Sequence, residues 1–396
     1  MKIQPYIIVP NLIEQPTWGG NYIPKLKKIS HPKFQNKKIG QSYELYEFSN
    51  LSSKLTTKNS PSLELGNPKN PQQSQKIISN DKIFNISQLV KKNPQDVLGE
   101  KAIKKHGEKI KILIKFTQAK GNSYQIHAKK RSFNSKWQYK PESWYYFESG
   151  VATLGAKPNI NWKKFQQTCE IINQQAKDLS HKVQNKKISL TFAKNKLKTF
   201  FKTNNPQTFV NLVKVKKNQT IDLSPCGIHH SWEENKKVSP NGNIVYEVQL
   251  NVYDQDSTIR CFDKGKIKND GSIRKLQIKD YFKYIDKSKK ANNPQNHLIN
   301  GRTVFKTSNL KIKQILQNFN YSLQELEFSK LIGNQYTQTT NSYHHLFVKN
   351  GGIKLIVDNH HWIITQGYSI FIPANTNQYQ LLPINKTATV LKTYLN

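Results

Sequence analysis

Polar and apolar residues alternate along most of this chain, which is the period-two pattern of β-strands with one buried face. In the segment KIKILIKF, for example, Ile112, Ile114 and Phe116 fall on one face and the lysines on the other, which predicts a half-buried strand. One long stretch, from Asn161 to about Asn204, departs from this pattern. Its apolar residues recur at helical spacing, and it contains neither Gly nor Pro. The sequence therefore predicts a mainly β protein with a helical insertion.

Strand patterns resume after this insertion and again over the last 90 or so residues, where Asn350-Gly351 and Gln366-Gly367 supply hairpin turns. The two β regions are similar in kind, so we expect two barrels or sandwiches in tandem. Before the first region, residues 51–85 are rich in Ser, Asn, Pro and Gln and predict a surface loop. A helical pair is predicted next, interrupted at Pro94 and ending near Gly107.

The size of the chain also constrains its class. A chain of 396 residues exceeds what one hydrophobic core usually organises, so two or three domains are expected. No apolar run approaches the roughly 20 residues that a membrane-spanning helix needs. The three cysteines are too few and too scattered for a disulfide framework, which fits a reducing compartment. We therefore expect a cytoplasmic protein without a membrane partner.

The formal net charge of +37 raises the question of a nucleic-acid partner. The excess charge is almost entirely lysine spread along the whole chain, together with heavy use of Asn, Gln and Ile, a pattern typical of compositional drift. Arginine, which nucleic-acid readers favour for bidentate contacts, occurs only at Arg131, Arg260, Arg274 and Arg302. We expect no specific nucleic-acid partner, but anionic metabolites would be attracted to such a chain.

A set of possible metal ligands is spread over the first β region. Gln125 and His127 are two residues apart on a predicted strand, so their side chains project from the same face. Glu142 opens the next predicted strand, and His230 follows a Pro-Cys-Gly turn. His229 is the competitor of His230, although alternation along a strand would aim the two side chains in opposite directions. Two imidazoles, a carboxylate and an amide oxygen suit Zn²⁺ with a position left open for water or substrate.

A series of short segments is similar, in content and order, to type I mannose-6-phosphate isomerases. The segments are TWGGNYI from Thr17, IGQSYEL from Ile39, ILIKF from Ile112, SYQIH from Ser123, KPESWYYF from Lys140, LSPCGIHH from Leu223, YEVQ from Tyr246 and STIRCFD from Ser257. The resemblance covers nearly the whole chain. It implies two cupin-like β-barrel or jelly-roll domains: a catalytic domain in two parts at 1–157 and 205–303, a helical insertion at 158–204, and a C-terminal domain without metal at 304–396.

The resemblance also implies an activity, the interconversion of mannose 6-phosphate and fructose 6-phosphate with Zn²⁺ as cofactor. The partner implied is a small sugar phosphate, and we expect a monomer. The residues implied for the site are the zinc ligands Gln125, His127, Glu142 and His230, the catalytic residues Arg260, Lys140 and Glu247, and the substrate-binding residues Trp18, Glu44, Ser123 and Lys266. Arg260 would stabilise the enediolate or the phosphate, and either Glu247 or a metal-bound hydroxide would move the proton.

Two other functions fit parts of the sequence. One is a non-catalytic cupin that binds sugars or polyanions, and the other is a cupin isomerase acting on a different phosphosugar.

The C-terminal region has Asn377 where the first region has His230, so we expect its histidines to cap strands or face solvent. Those histidines are His344, His345, His360 and His361.

Overall fold

The computed structural model describes residues 4–29, 34, 36–52, 65–68, 84–129, 136–224, 229–329, 331, 335–338 and 341–396, and it describes only the backbone of 229–230 and 335–338. The predicted class, mainly β with a helical insertion, is confirmed. Most of the predicted loop at 51–85 lies outside the described residues. No helix in the described part of the chain combines the length and the apolar composition needed to cross a membrane.

The strands and helices are numbered here in chain order. The strands are β1 Tyr6–Val9, β2 Asn11–Glu14, β3 Ile39–Leu45, β4 Asn50–Ser52, β5 Phe84–Asn85, β6 Ile112–Ala119, β7 Tyr124–Ile126, β8 Glu142–Tyr146, β9 Gly150–Ala156, β10 Val210–Val215, β11 Thr220–Asp222, β12 His229–Trp232, β13 Asn243–Leu250, β14 Ile259–Phe262, β15 Leu298–Ile299, β16 Arg302–Lys306, β17 Leu310–Gln317, β18 Tyr321–Phe328, β19 Gln335–Gln338, β20 His344–Asn350, β21 Gly352–Val357, β22 His360–Thr365, β23 Ser369–Ile372, β24 Gln378–Pro383 and β25 Ala388–Leu395. The helices are α1 Tyr22–Leu26, α2 Ile86–Lys92, α3 Pro94–Leu98, α4 Glu100–His106, α5 Trp162–Gln184, α6 Leu190–Thr203, α7 Asp254–Ser257, α8 Ile278–Tyr284 and α9 Lys289–Asn292, with short 3₁₀ turns at Pro206–Phe209, Pro294–Asn296 and Ala374–Thr376.

The chain divides into two compact units, each built from separate stretches of sequence. Unit 1 comprises Met1–Gln118, Val245–Asn251 and Ile299–Asn396, and unit 2 comprises Ala119–Ile244 and Val252–Leu298. Where a helical pair was predicted, unit 1 has three short helices, α2, α3 and α4, because Gly99 separates the last two. Pro94 is the first residue of α3, and Gly107 ends α4 at a positive φ.

Unit 1 contains a nine-stranded sheet in the order β16–β17–β18–β25–β20–β23–β1–β4–β5 and a four-stranded sheet in the order β19–β24–β21–β22. Strand β1 lies inside the larger sheet, where Ile7 pairs with Ile370 of β23 on one side and with Ser52 of β4 on the other. All four residues of β1 are buried. The first strand of the chain is thus part of a sheet built mainly from its C-terminal strands, a long-range pairing that local patterns do not predict.

Two C-terminal histidines contradict the prediction made for them. His344 and His345, in β20, are buried rather than exposed or capping a strand. The ring of His345 lies 3.1 Å through Nδ1 from the hydroxyl of Tyr246, and that of His344 lies 2.9 Å from the hydroxyl of Tyr379. Burial lowers the pKa of both imidazoles, so they act as neutral hydrogen-bonding groups of the core. The other two histidines, His360 and His361, are exposed as expected.

The predicted strand at KIKILIKF forms as β6, but it is buried on both faces rather than on one. The ammonium of Lys115 lies 3.2 Å from Oε1 of Glu247 on β13, and the hydroxyl of Thr117 donates to the other carboxylate oxygen at 2.8 Å. A buried lysine needs such a partner, and Glu247 supplies it from a distant part of the sequence. The neighbouring strands of unit 1 follow the order β13–β6–β3–β2.

In unit 2, β9 lies between β10 and β12, β7 pairs with β14, and β11 pairs with β8. The predicted helical stretch forms α5 and α6, separated by a short turn. Asn161 and Ser189 cap their N-termini by accepting hydrogen bonds from Lys164 N and Phe192 N. The apolar stripe of α5 is buried against the strands and against α8. Local spacing alone was therefore sufficient to predict a helical stretch here, although it did not predict the break between the two helices.

A fully buried ion pair in unit 1 joins Lys27, at the end of α1, to Glu44 of β3. The Lys27 ammonium lies 2.7 Å from Glu44 Oε1, and neither side chain is exposed to any extent (0% each). The same ammonium also donates to the carbonyl of Gly367. Ser42 donates to one oxygen of Glu44 at 2.6 Å, and Ser369 donates to the other at 2.8 Å. Every charged atom of the pair is therefore satisfied within the protein.

Lys27→Met is expected to lower the free energy of unfolding by about 3–5 kcal/mol, because it leaves the Glu44 carboxylate buried without its counter-charge. The double variant Lys27→Met/Glu44→Gln removes the stranded charge and should recover a large part of this loss. Urea denaturation of the three proteins measures both effects. Equal stability of Lys27→Met and the natural chain would show that this pair does not contribute in the stated way.

Candidate metal centre and active site

His127 follows β7 directly, and its ring is held from two sides. Nδ1 donates to the carbonyl oxygen of Ser257, at the end of α7, over 2.7 Å. Nε2 lies 3.0 Å from Oε2 of Glu142, the first residue of β8. Both side chains are buried, so neither contact is shared with bulk solvent.

The protonation state of His127 determines what can lie between its Nε2 and the carboxylate of Glu142. A carbonyl can only accept, so the proton of a neutral ring sits on Nδ1 and Nε2 presents a lone pair toward the carboxylate of Glu142. Burial and then the nearby charge of Lys140 lower the pKa of His127, against the opposing effect of Glu142. Two acceptors at this distance repel unless a proton or a metal cation lies between them. Ligands of one tetrahedral Zn²⁺, each bound at roughly 2.0–2.1 Å, lie about 3.3 Å apart, so the pair fits a shared metal ion.

Ser123 and Gln125 precede His127 at alternate positions along the chain. Gln125 is on β7 and is 9% exposed, and its register partner on β14 is Arg260. The hydroxyl of Ser123 donates to Oε1 of Gln125 at 3.4 Å. The second oxygen of Glu142 accepts from the indole N–H of Trp144 at 2.6 Å, which fixes the carboxylate in place.

The fourth expected ligand cannot be placed with the same detail. His230 belongs to β12, which pairs with β9, but its side chain and that of His229 lie outside the described residues, as do residues 225–228, for which the sequence predicts a turn. Among the side chains that are described, there is no group of three or more His, Cys, Asp or Glu able to hold a metal ion. The described part of the predicted set is therefore Gln125, His127 and Glu142.

Two cations flank these ligands and share one carboxylate. The ammonium of Lys140 lies 3.4 Å from Oε2 of Glu142 and 2.7 Å from Oδ1 of Asp254. The second oxygen of Asp254 lies 3.6 Å from Nη2 of Arg260. Asp254, whose side chain is 56% exposed, was not among the predicted site residues. It bridges the two cations expected to act on the substrate.

The guanidinium of Arg260 keeps free capacity to donate hydrogen bonds. Nη1 donates to the carbonyl of Thr258 at 3.3 Å, whereas the buried Nε has no hydrogen-bond partner among the described residues. Burial lowers the pKa of Arg260 to about 10, so the group remains charged at neutral pH. A buried donor without a partner is costly.

Lys266 lies in the same unit, shortly after β14. Its ammonium donates to the carbonyl of Gly121 at 2.6 Å, close in sequence to Ser123. Burial lowers its pKa to about 8, and Asp263 opposes that shift. A phosphate placed near this ammonium would raise the pKa again.

Three predicted residues belong to unit 1. Glu247 is paired with Lys115 and Thr117, and the carboxylate of Glu44 is fully used by Lys27 and two serines. Trp18 is half-buried, and its ring lies against Gly40 of β3 so closely that a Cβ on that glycine would come within 2.6 Å of it. The glycine in the segment IGQSYEL is thus required by the packing of the tryptophan in TWGGNYI.

Comparison with solved structures gives matches over essentially the full length of the chain. Mannose 6-phosphate isomerase from Bacillus subtilis aligns with 99% of this chain and 99% of its own, with a TM-score of 0.66 and 15% sequence identity. The fold is that of the mannose-6-phosphate isomerases. The isomerase from Salmonella typhimurium bound to fructose 6-phosphate and zinc covers 100% of both chains, at a TM-score of 0.63 and 13% identity. A putative mannosephosphate isomerase from Archaeoglobus fulgidus covers 100% of this chain and 99% of its own, with a TM-score of 0.63 and 16% sequence identity.

At the level of the fold, the resemblance expected from the short motifs is confirmed. The sequence itself matches no protein-family profile and no curated protein. The matched structures are 12–16% identical to this chain, so the likeness to them is one of fold.

Sequence reasoning missed two contributors to the site. The carbonyl of Ser257 orients His127, and the carboxylate of Asp254 bridges Lys140 and Arg260. Both come from α7, a single helical turn just ahead of β14. An available signal was the pair of acidic residues, Asp254 and Asp256, in a chain with few acidic residues, immediately before a rare arginine.

Proposed function

We propose that this protein is a zinc-dependent isomerase that interconverts mannose 6-phosphate and fructose 6-phosphate. The observation that carries the proposal is the buried pair formed by His127 Nε2 and Glu142 Oε2, an imidazole nitrogen and a carboxylate oxygen 3.0 Å apart, with the ring held by Ser257. Support comes from structures of the same fold, one of which is bound to zinc and fructose 6-phosphate. Gln125, His127 and Glu142, together with His230, supply the nitrogen and oxygen ligands that zinc prefers.

Gln125, His127, Glu142 and His230 are proposed to hold the ion. When bound, zinc polarises a carbonyl or hydroxyl oxygen of the sugar and stabilises the negative charge that develops there. Ser257 keeps the proton of His127 on Nδ1, and Trp144 fixes the carboxylate of Glu142. These two contacts prearrange the ligands, so little reorganisation is needed when the ion binds.

The reaction transfers a proton between C1 and C2 of the open-chain sugar through an enediol. Arg260 is proposed to donate to a negatively charged oxygen of the substrate, either on the enediolate or on the phosphate, through the guanidinium atoms left free by its contacts. Lys140 would assist ring opening, and Ser123 with Lys266 would bind the phosphate. Glu247 is proposed as one candidate for moving the proton, and Trp18 and Glu44 as further substrate-binding residues.

The proposal is tested by a coupled assay of the purified protein with mannose 6-phosphate. Turnover that is lost on chelation and restored by zinc is expected, with much slower turnover of glucose 6-phosphate and ribose 5-phosphate. Faster turnover of another phosphosugar would redirect the proposal to a different isomerase. Stoichiometric zinc without turnover of any of these sugars would instead indicate a non-catalytic sugar-binding protein.

Asp254→Ala is expected to lower kcat by about 10–100-fold, because Lys140 and Arg260 lose the carboxylate that positions both. Asp254→Glu keeps the charge and should recover part of the loss, whereas zinc content should remain that of the natural chain. The exposed Asp270→Ala serves as a matched control. A lower KM with unchanged kcat would mean that Asp254 competes with the substrate instead of positioning the two cations.

The affinity for substrate is expected to fall as the pH rises above about 8, where Lys266 loses its proton. The sign follows from the lowered pKa: below it the ammonium attracts the phosphate, and above it the neutral amine does not. The loss of affinity is measured as a rise in KM with pH. Lys266→Arg should reduce that rise, because arginine stays charged. The exposed Lys268→Arg is the control and should keep the natural profile. An identical pH profile for Lys266→Arg would rule out Lys266 as the titrating group.

A further inference from the structure

The main chain of Arg260 is bonded to a single residue of unit 2, Gln277. The main-chain N–H of Gln277 donates to the carbonyl oxygen of Arg260 over 2.8 Å. In return, the main-chain N–H of Arg260 donates to the side-chain oxygen Oε1 of Gln277 over 3.1 Å. Gln277 directly precedes α8 and is partly buried. One residue therefore satisfies both main-chain polar groups of Arg260, as a neighbouring strand would.

These two bonds determine how Arg260 faces β7. Gln125 and Arg260 are register partners in the two-stranded sheet formed by β7 and β14. Because the N–H and C=O groups of Arg260 bond to Gln277, they point away from β7, and the pair is of the kind without main-chain bonds between its members. Register partners project from the same face of a sheet, so the side chain of Arg260 lies on the face that carries the proposed zinc ligand Gln125.

The strand β14 needs this second partner because its pairing with β7 is irregular just beyond Arg260. The register shifts between Arg260 and Phe262, with Cys261 as the extra residue of a bulge. Among the described residues, β14 pairs with no strand other than β7. A bulge bends a strand and changes the direction of nearby side chains. The bonds to Gln277 therefore fix the main chain of Arg260 where β7 alone constrains it least.

Gln277 also closes the loop that carries Lys266. Arg260 and Gln277 are 17 residues apart in sequence, and the chain between them leaves β14 and returns to it at the start of α8. Within this loop, the ammonium of Lys266 donates to the carbonyl of Gly121. Holding the two ends of a loop together restricts the conformations of the residues between them. The two cations proposed to bind the substrate therefore lie on segments that Gln277 joins.

We propose that Gln277 is a positioning residue of the isomerisation, an inference that rests on the function proposed above. Its side-chain oxygen holds the main chain of Arg260, so that the guanidinium keeps a fixed place relative to the zinc ligands. Gln277 acts on the reaction through Arg260 and not through the substrate. A change at Gln277 should therefore lower the rate only while the arginine is present.

Gln277→Met tests this inference, because methionine keeps the length of the side chain but replaces the amide by a thioether, which is a poor acceptor. Gln277→Glu keeps an acceptor oxygen. In the coupled assay with mannose 6-phosphate, Gln277→Met is expected to lower kcat by about tenfold with unchanged zinc content, and Gln277→Glu to stay within about threefold of the natural chain. The exposed Gln295→Met is the matched control and should keep the natural rate.

A double-mutant cycle with Arg260→Lys separates positioning from a general structural role. In the Arg260→Lys background, Gln277→Met should lower kcat by less than about twofold. A loss of about tenfold in both backgrounds, a natural rate in Gln277→Met, or an equally slow Gln277→Glu would overturn the inference and leave the proposed function standing. Absence of turnover in the natural chain would instead overturn the proposed function, and the inference with it.

Discussion

His127→Ala is expected to abolish stoichiometric zinc binding and, with it, the interconversion of mannose 6-phosphate and fructose 6-phosphate. The imidazole supplies the one described nitrogen ligand, and it faces Glu142 Oε2 at 3.0 Å. Without it, an ion would lose a ligand and the carboxylate would lose its partner. Because a bound metal contributes several kcal/mol of charge stabilisation, kcat should fall by at least about 10³-fold. Elemental analysis and the coupled assay measure the two losses.

The matched control is His181→Ala, which removes an exposed imidazole from α5. It should retain full zinc content and full activity. Glu142→Gln offers a second, nearly isosteric change to the same site, so that a folding defect in one variant does not decide the matter. Activity within about tenfold of the natural chain in His127→Ala would remove this residue from the catalytic centre.

Arg260→Lys is expected to lower kcat by about 10²–10³-fold while leaving the zinc content unchanged. Lysine keeps the charge but lacks the planar fork, so it cannot present the equivalent of Nε together with the bonds to Thr258 and Asp254. The retained metal separates this effect from that of His127→Ala. A loss of rate with normal zinc therefore identifies the guanidinium as a group that acts on the substrate.

Arg274→Lys is the control for this change. Arg274 is nearly half exposed, and its Nε lies 3.7 Å from the carboxylate of Asp263, a distance typical of a weak surface pair. The rate of Arg274→Lys should be close to that of the natural chain. If Arg260→Lys behaved in the same way, Arg260 would be a structural residue of β14 rather than a catalytic one.

The elements that were predictable from the sequence are those determined by local spacing. The helices α5 and α6 follow from apolar residues at helical intervals and from the caps Asn161 and Ser189. The strand β6 follows from alternation, but the burial of its lysine face does not, because Glu247 lies far along the chain. Long-range pairing decides which polar side chains find partners, and local patterns carry no information about it.

In the candidate site, too, local spacing predicts some of the residues and long-range contacts decide the others. The spacing of Gln125 and His127 predicted that both side chains lie on one face, and Glu142 was predicted as a ligand from its place at the start of a strand. The contributions of α7 could not be predicted from the sequence. They depend on one helical turn that places a carbonyl beside His127 and a carboxylate beside Lys140. The burial of Lys27 with Glu44 escaped prediction for a similar reason. An unusually lysine-rich sequence gives no sign of which few lysines are buried.

Anomalous diffraction at the zinc absorption edge, from crystals of the purified chain, tests the proposed centre most directly. One zinc ion per chain is expected, bound by His127 Nε2 and Glu142 Oε2 with Gln125 and His230 completing its ligands. Protein that binds no zinc under saturating conditions, or that binds it away from His127 and Glu142, would contradict the proposed metal centre and the isomerase function that depends on it.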